Sequence, residues 1–375
     1  MKNILIFSSF YKPHIGGVEK YIENFYKRLP NHKVTIITSK YDKSLKSDDK
    51  DENLNIVRID SIQIIRDKYY IPTLKGFKKM KKLINSSNPN KTEVHTHTRF
   101  YFTNVIATYF AKKYNLKHYH FEHGSSFVKD GPFYVRIFAY IFDKTFAKYT
   151  LKNSQLIFPV SESVRDFLNK NYKNIKLGPT IYNSYDFKNI KIQNKKKPKL
   201  LKLLFVGRII KSKGIYELVD SCEFLSENNI KYSLTIIGDG SERENLEKYI
   251  KKNNIKNIVL KGQLPYEDTQ KEYSKYNIFV NPSYTEGLPT TVLEALANNL
   301  IVIATDAGGT KEIIPENKLI KLNELYPEII AEHIISSWNN WEEKQKEFAK
   351  IFQNAKKKFN IQDNIDSYYS STSNT

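Results

Sequence analysis

The residues best suited to chemistry lie within residues 277–297, whose sequence is NIFVNPSYTEGLPTTVLEALA. An apolar run predicts a strand, a turn-rich loop follows it, and Pro289 suits the first position of a helix, where a missing N–H costs no hydrogen bond. The free amides after Pro289, with the helix dipole behind them, form an anion site. Glu286 and Glu294 bracket that site, and carboxylates accept strongly from hydroxyl groups. The stretch predicts a ligand with both a diphosphate and hydroxyl groups; a plain strand–loop–helix unit with two solvated glutamates is the alternative.

A second set of candidates follows the strand that is predicted at residues 202–206. Gly207 and Arg208 come first, and Lys213 and Gly214 then open a helix. An arginine supplies a planar fork of donors and a lysine a point charge, which together suit the two phosphates of a diphosphate. Each candidate lies just beyond the carboxyl end of a predicted strand, where open α/β sheets bind their ligands.

The alternation of strands and helices predicts an α/β protein with parallel sheets. A length of 375 residues suits two domains. The polar and basic residues 191–199 are expected to link them. We expect the first domain to span residues 1–186 and the second residues 187–345, with residues 346–375 forming a terminal helix and a frayed end.

The spacing of the two glutamates, in EGLPTTVLEA, resembles the E-x7-E motif of the retaining nucleotide-sugar glycosyltransferases of family 4, which have the two-domain GT-B fold. The run GRIIKSKG resembles the diphosphate clamp of the same family. The resemblance implies two Rossmann-like domains whose parallel sheets face a cleft, and a C-terminal helix that crosses back to the first domain. It also implies that Glu286 contacts the hydroxyls of the donor sugar, that Glu294 contacts the nucleotide ribose, and that the amides between them face the diphosphate.

Three motifs of the first half are similar to the family, and one departs from it. Gly16 and Gly17 stand in a loop where family members carry G-G-x-E, and His123 precedes a glycine, like the family histidine that reaches the sugar. The run VSES resembles the family's V-S-x-S and makes Ser161 a helix N-cap. Residues 183–186, NSYD, lack the glycine of the family's N-G-V-D, which puts the geometry of that turn in doubt.

The resemblance implies transfer of a hexose-type sugar from a UDP- or GDP-sugar to a hydroxyl of a saccharide or lipid-linked saccharide, with retention of the anomeric configuration, in the synthesis of a bacterial surface polysaccharide. The catalytic roles fall on His123, Glu286, Arg208 and Lys213. The donor-binding roles fall on Gly16, Gly17, Gly207, Gly238, Leu264, Gly287, Leu288, Pro289, Thr290, Thr291 and Glu294.

No metal and no cofactor is expected, because arginine, lysine and helix amides can neutralise a leaving diphosphate. The D-x-D segment at residues 49–51 lies in a charged run with no adjacent predicted strand, so we interpret it as solvated surface. His95 and His97 lie on one side of a predicted strand end by alternation. Two histidines without a nearby third ligand are weak evidence for zinc.

The charge of the chain is divided unevenly. Residues 1–185 hold 32 Lys and Arg against 15 Asp and Glu, whereas residues 186–375 hold 28 against 25, so the net charges are +17 and +3. A basic first half implies an acidic partner, such as an anionic lipid surface, a phosphorylated lipid or nucleic acid. Residues 64–85 and 127–149 mix aromatic and basic side chains. A helix at 64–85 would carry an apolar stripe beside a basic face, which suits a membrane interface; an ordinary amphipathic surface helix is the alternative.

The single cysteine and the short apolar runs of the sequence predict the cellular compartment. Cys222 is the single cysteine, which excludes a disulfide framework and suits a reducing compartment. The first apolar run ends at Phe7 and is too short for a signal peptide, and no apolar run approaches the roughly 20 residues that span a bilayer. The sequence predicts a cytoplasmic protein, either free or attached peripherally to the inner face of the cell membrane.

Two other functions compete with glycosyl transfer. A sugar-nucleotide epimerase of the same architecture needs acid/base carboxylates in the first domain, and we identify none there. A nucleic-acid-binding protein, which the charge alone suggests, needs a recognition helix or a known module. The sequence has neither, so no nucleic-acid partner is expected and glycosyl transfer is the main interpretation.

Overall fold

The structure is a computed structural model, and it describes residues 2–14, 16–65, 69–128, 132–188, 190, 192 and 195–373. The chain divides into two units, the first formed by Met1–Ser184 with Ile361–Thr375 and the second by Tyr185–Asn360. Within the predicted linker, residues 191, 193 and 194 lie outside the described residues. None of the described helices is long and apolar enough to cross a membrane.

The strands of the first unit are β1 (Lys2–Phe7), β2 (His32–Lys40), β3 (Asp48–Asp51), β4 (Leu54–Ile65), β5 (Tyr69–Pro72), β6 (Thr92–His97), β7 (Lys117–Glu122) and β8 (Leu156–Pro159). They form one sheet in the order β3-β4-β2-β1-β6-β7-β8, with β5 added to β4. Within the described residues, only β3 and β5 run antiparallel, both against β4. The central strand β1 buries Ile4 and Ile6 on one face and Leu5 and Phe7 on the other. A strand that is apolar on both faces is typical of a parallel sheet covered by helices on both sides.

The helices of the first 184 residues are α1 (Gly17–Tyr26), α2 (Leu74–Asn85), α3 (Phe102–Lys113), α4 (Phe133–Phe142), α5 (Lys148–Lys152) and α6 (Glu162–Asn171). A π-helical turn, Asp143–Ala147, joins α4 to α5. The predicted cap of α6 is confirmed, because the Ser161 side chain accepts a hydrogen bond from the amide of Val164 at 3.1 Å.

The basic and aromatic stretch at residues 64–85 is not one helix, so that prediction was wrong. Strand β4 continues to Ile65, β5 ends at Pro72, and α2 begins only at Leu74. Its cap is Thr73, whose side chain accepts from the amide of Gly76 at 3.1 Å. Aromatic residues suit a strand as well as a helix, and the antiparallel pairing of β5 with β4 is a contact that the local pattern does not display.

The D-x-D segment is at the surface, as predicted, but it forms a strand and not a loop. Asp49 and Asp51 belong to the edge strand β3, not to a solvated loop. Asp51 accepts from the Tyr11 hydroxyl at 3.0 Å and from Lys27 Nζ at 3.1 Å. Asp49 pairs with Arg58 at 3.3 Å. Both carboxylates are therefore used in local contacts that hold the sheet edge.

The strands of the second unit are β9 (Leu201–Val206), β10 (Tyr232–Ile237), β11 (Ile258–Gly262), β12 (Ile278–Asn281) and β13 (Ile301–Ala304). They form a parallel sheet in the order β11-β10-β9-β12-β13. The helices of this unit are α7 (Ile215–Glu227), α8 (Arg243–Lys252), α9 (Tyr266–Tyr273), α10 (Thr290–Ala297), α11 (Thr310–Ile313), α12 (Pro327–Asn339) and α13 (Trp341–Lys358). Because the strands are parallel, the loops that follow them leave from one edge of the sheet.

The C-terminal helices divide between the two units. Helix α13 buries Phe348 and Phe352 and packs against α10 and β13 of the second unit. The last helix, α14 (Ile361–Ser373), belongs to the first unit, where Ile365 and Tyr368 join the core. The segment of the first unit thus begins at Ile361, and residue 346 lies inside α13. Apolar residues recur through both helices, so their spacing does not display where one ends and the next begins.

Candidate active site

In the second unit, the loop after β9 carries Gly207 and Arg208. The chain then forms a 3-10 turn, Lys211–Lys213, and enters α7 through Gly214. Gly214 has φ +63°, and a Cβ built on it would lie 1.9 Å from the carbonyl oxygen of Pro282. Only a glycine allows this loop to touch the loop after β12.

An ion pair between Lys213 and Glu286 joins the same two loops. Lys213 Nζ lies 2.7 Å from Glu286 Oε1, and the two side chains are only 17% and 10% exposed. Asn281 Nδ2 also donates to that oxygen, over 3.3 Å. Arg208, in contrast, is exposed and has no side-chain hydrogen bond or ion pair in the part of the chain that the structure describes. The segment after β9 thus carries one cation that is held by a carboxylate and one that is exposed.

Residues 286–294 lead from this ion pair into α10. The carbonyl of Gly287 accepts from the amide of Gly309 at 2.9 Å, which ties the loop to the segment after β13. Leu288 and Pro289 are buried, and α10 begins with Thr290 and Thr291. Pro289 therefore precedes the helix instead of occupying its first position. The first amides of α10 have no carbonyl partner inside the helix, which is the property that suits an anion.

Glu294 lies on α10 and is almost completely buried, with 3% of its surface exposed. The hydroxyl of Tyr273, which is itself buried, donates to Glu294 Oε2 at 3.0 Å. A buried carboxylate is costly unless its oxygens accept hydrogen bonds. Tyr273 therefore stabilises Glu294 and also orients it.

Gly238 and Leu264 follow the two strands on the other side of β9. Gly238 has φ +143°, and a Cβ built on it would lie 1.9 Å from the carbonyl oxygen of Gly207. Its amide donates to the carbonyl of Gly262 at 2.9 Å. Leu264 is half-buried in the segment after β11. The predicted residues of this half all lie beyond the carboxyl ends of adjacent strands.

The remaining predicted residues, Gly16, Gly17 and His123, lie in the first unit. Gly16 is the N-cap of α1 and Gly17 its first residue, and His123 directly follows β7. Tyr21 of α1 packs edge-on against the His123 ring, with 4.9 Å between the ring centroids. The three residues thus lie at the carboxyl edge of the first sheet, and α1 contacts the histidine directly.

The backbone at His123 is held by Glu122, which the sequence analysis missed. Glu122 Oε1 accepts from the amides of His123 at 3.0 Å and Gly124 at 2.7 Å, and from Arg99 Nη1 at 2.8 Å. Arg99 Nε also donates to Asp143 Oδ1 at 2.8 Å, and all three charged side chains are fully buried. Burial alone would raise the pKa of Glu122, but the charge of Arg99 and the hydrogen bonds lower it to about 2. The carboxylate is therefore ionised at neutral pH.

A signal for this cluster was present in the sequence. Arg99 comes two residues after the end of β6, and Glu122 is the last residue of the neighbouring strand β7. Opposite charges at the ends of adjacent parallel strands are expected to meet. That signal can be used only when β6 and β7 are known to be neighbours in the sheet.

His95 and His97 lie on one face of β6, as the alternation predicts. The Tyr26 hydroxyl lies 2.8 Å from His95 Nδ1 and 2.9 Å from His97 Nε2. His97 Nδ1 in turn lies 3.2 Å from His123 Nε2. The described residues contain no group of three or more His, Cys, Asp or Glu that could hold a metal ion. These histidines form a hydrogen-bonded chain that ends at a predicted site residue.

Comparison with known families assigns both units to one class of enzyme. Residues 186–358 match the model of the glycosyl transferases group 1, and residues 15–187 match that of glycosyltransferase family 4. The chain is therefore a glycosyltransferase. It belongs to family 4 of these enzymes.

Individual relatives support the assignment. The uncharacterized glycosyltransferase MJ1069 of Methanocaldococcus jannaschii is 28% identical over 93% of this chain and 98% of its own length. The amylovoran biosynthesis glycosyltransferase AmsK of Erwinia amylovora is 30% identical over 31% of this chain and 30% of its own. The crystal structure of Anabaena Alr3699/HepE with UDP and glucose covers 100% of both chains with a TM-score of 0.78 and 12% identity. That likeness shows the GT-B fold.

The buried charges near His123 can be tested by replacing Arg99 with methionine. Arg99→Met leaves Glu122 and Asp143 buried without their shared cation, and losing one partner of a buried pair costs about 3–5 kcal/mol. We expect urea denaturation followed by circular dichroism to show a loss of this size. Arg243→Met is the control, because Arg243 pairs with Asp239 and Glu247 at 3.5 and 3.3 Å in a half-exposed setting. Its cost should stay below about 1 kcal/mol, and equal losses would contradict the weight given to the buried pair.

The contact between the loops after β9 and β12 predicts a cost for Gly214→Ala. The new Cβ would meet the Pro282 carbonyl in a left-handed conformation, so the free energy of unfolding should fall by about 2 kcal/mol or more. Gly207→Ala is the control, since its Cβ would meet only the Phe205 side chain, at 3.2 Å, without a left-handed φ. A Gly214→Ala chain as stable as the control by urea denaturation would show that the loop contact is not required.

Proposed function

We propose that this glycosyltransferase moves a hexose-type sugar from a UDP- or GDP-sugar to a hydroxyl of a saccharide or lipid-linked saccharide, with retention of configuration and without a metal. The observation that carries the proposal is the 2.7 Å ion pair between Lys213, which follows β9 with the exposed Arg208, and Glu286, which precedes α10. A nucleotide sugar offers a diphosphate for the two cations and hydroxyls for the carboxylate.

The leaving diphosphate sets the main electrostatic demand of the reaction. The bond between the sugar and the diphosphate breaks, and negative charge grows on the diphosphate. The acceptor oxygen bonds to the sugar, and its proton passes to the leaving diphosphate or to the solvent. Arg208, Lys213 and the first amides of α10 neutralise that charge. A diphosphate oxygen that binds Lys213 also frees Glu286 to accept from a sugar hydroxyl. The same ion pair thus prepares both ends of the donor site.

We assign binding of the nucleotide end of the donor to the buried Glu294. Its carboxylate accepts from Tyr273, and a ribose offers two further hydroxyl donors. In the proposed reaction Glu286 orients the sugar and Glu294 the nucleoside, with Gly287, Leu288 and Pro289 carrying the backbone between them. Gly207 and Gly238 are assigned to the phosphate side of the donor, where their close backbone contact holds the loop after β9 in place. We assign contact with the donor sugar to His123, and a further role in donor binding to Gly16 and Gly17.

The first test removes each cation from the proposed clamp. Arg208→Gln and Lys213→Gln should each lower turnover by about 100-fold, because each removes charge that stabilises the transition state. The measurement is release of nucleoside diphosphate from a panel of nucleotide sugars. Lys211→Gln is the matched control, since Lys211 is an exposed lysine of the same 3-10 turn, and it should retain most of the activity.

Thermal unfolding of the three variants shows whether a loss of rate comes from misfolding. A clamp variant that is folded and as active as the Lys211→Gln control removes that residue from the proposed mechanism. EDTA should leave the rate of the parent chain unchanged. A strict need for Mg²⁺ or Mn²⁺ would contradict the metal-free part of the proposal.

We place the acceptor at an anionic membrane surface, as a lipid-linked saccharide of a bacterial surface polysaccharide. The support comes from α4, which exposes several large apolar side chains. These are Phe133 (70% exposed), Tyr134 (71%), Ile137 (42%), Tyr140 (52%) and Ile141 (54%). Arg136, Lys144 and Lys148 are exposed on or beside the same helix. An apolar helix face flanked by basic residues suits the interface of an anionic bilayer.

Helix α2 contributes further positive charge. Lys78, Lys81 and Lys82 are exposed, whereas Lys79 lies 3.2 Å from Asp48. Each exposed lysine near an anionic leaflet contributes about 1 kcal/mol of binding. The similarity to an amylovoran biosynthesis glycosyltransferase agrees with a role in polysaccharide synthesis. The proposal places the enzyme in the cytoplasm, attached peripherally to the membrane, with no nucleic-acid partner.

Liposome co-sedimentation tests the membrane surface. The chain should bind vesicles of anionic but not neutral lipid, and binding should fall with added salt. Replacing Lys78, Lys81 and Lys82 together with glutamine should weaken binding. The matched control replaces Lys248, Lys251 and Lys252 of α8, which are exposed and have the same spacing. If the chain stays in the supernatant with anionic vesicles at low salt, the membrane proposal fails and a soluble saccharide becomes the acceptor.

A further inference from the structure

A continuous chain of hydrogen-bonded side chains connects Glu93 to His123 on one face of the first sheet. It passes through a tyrosine of α14, two histidines of β6 and a tyrosine of α1. The links are Glu93 Oε2 to the Tyr368 hydroxyl (2.7 Å), that hydroxyl to His95 Nε2 (3.2 Å), His95 Nδ1 to the Tyr26 hydroxyl (2.8 Å), that hydroxyl to His97 Nε2 (2.9 Å), and His97 Nδ1 to His123 Nε2 (3.2 Å).

The members between the two ends are buried, and the histidines are neutral. Tyr26, His95 and His97 have no exposed surface, and Tyr368 is 1% exposed. Burial lowers the pKa of His95 and, more strongly, that of His97, and it lowers the pKa of His123 to about 4. Each imidazole therefore carries one proton and one bare nitrogen at neutral pH. A neutral imidazole donates from one nitrogen and accepts at the other.

Glu93 determines which partner donates and which accepts in each of these hydrogen bonds. Burial alone would raise the pKa of Glu93, but its interaction with His95, and then the hydrogen bonds from Lys2 at 2.9 Å and from the Tyr368 hydroxyl, hold it well below its usual value. An ionised carboxylate only accepts, so the single hydroxyl hydrogen of Tyr368 points to Glu93. The Tyr368 oxygen must then accept from His95 Nε2. The same nitrogen lies 3.5 Å from Glu93 Oε2, which also requires a proton on it.

Every later link follows from the one before. Because His95 carries its proton on Nε2, its Nδ1 is bare and accepts the hydrogen of the Tyr26 hydroxyl. The Tyr26 oxygen then accepts from His97 Nε2, which leaves His97 Nδ1 bare. That nitrogen accepts from His123 Nε2. The proton of His123 is therefore on Nε2, and its Nδ1 is an acceptor.

We propose that Tyr368, His95, Tyr26 and His97 are positioning residues that hold His123 in its Nε2–H tautomer and present Nδ1 as an acceptor for a hydroxyl group of the ligand. The opposite tautomer would set two bare nitrogens against each other between His97 and His123, or would require Glu93 to donate. A hydroxyl matches the Nδ1 acceptor, whereas a phosphate oxygen does not. That the hydroxyl belongs to a sugar rests on the proposed function; the tautomer itself does not.

The experiment observes the tautomer directly. The full chain is labelled with ¹⁵N-histidine, and long-range ¹H–¹⁵N NMR spectra are recorded at neutral pH without any nucleotide sugar. The His123 ring is assigned by its loss in His123→Asn. We expect it to show a protonated Nε2 and a bare Nδ1. A protonated Nδ1, or an imidazolium, overturns the proposal from the parent chain alone, whether or not any variant folds.

Two variants then test the connection. Tyr26→Phe removes the hydroxyl between His95 and His97, so the ¹⁵N shifts of His123 should move towards the average of the two tautomers. In Glu93→Gln the new amide can donate to Tyr368, so all five hydrogen bonds between residue 93 and His123 can reverse their direction. The Nε2–H tautomer of His123 should then no longer dominate. An unchanged His123 tautomer in both folded variants overturns the proposal.

Tyr21→Phe is the matched control. Tyr21 packs against the His123 ring and is buried, and its hydroxyl has no hydrogen-bond partner among the residues that the structure describes. Removing that hydroxyl should leave the tautomer of His123 as it is in the parent chain. If Tyr21→Phe shifts the tautomer of His123 as far as Tyr26→Phe does, then ring packing, and not the series of hydrogen bonds, sets that tautomer. Because no substrate is present, the result stands apart from the outcome of the turnover assays.

Discussion

The site in the first unit depends on the buried pair of Arg99 and Glu122. Strand β7 ends at Glu122, so the next two amides leave the sheet ladder and need another acceptor inside the protein. The carboxylate supplies it, and Arg99 balances its charge while donating also to Asp143 and to the carbonyls of Gly124 and Ser126. A buried ion pair is weak evidence for stability. Here it fixes the backbone at the point where the sheet stops.

The second unit positions its residues by a different means. Backbone segments approach so closely at Gly214 and Gly238 that a side chain would not fit, and these contacts hold the strand ends in place. The charged side chains of Lys213 and Glu286, in contrast, are only partly buried. Lys213 and Glu286 pair with each other at 2.7 Å. The second unit thus fixes its site by contacts between backbone segments. The first unit fixes its site by buried charged side chains.

The sequence predicted most of what depends on short spacing. The parallel strands of the second unit, the cap at Ser161 and the loop from Glu286 into α10 follow from local patterns, because each is set by residues a few positions apart. The failures involve partners far along the chain. Residues 69–72 form a strand because β4 is beside them, and Asp51 is engaged because Tyr11 and Lys27 reach it. Glu122 was missed because its partner Arg99 lies on another strand.

Helix α14 has a consequence for how the chain folds as it is made. Its Tyr368 is buried among the residues of β6 and α1, which are synthesised more than 270 positions earlier, as the separation of 275 between Tyr368 and Glu93 shows. The second unit has all its strands and helices between residues 185 and 360 and can fold in one stretch. Domains generally fold as units during synthesis, the N-terminal one first. In this chain the order of completion is reversed, because the core of the first unit lacks Ile365 and Tyr368 until α14 has left the ribosome.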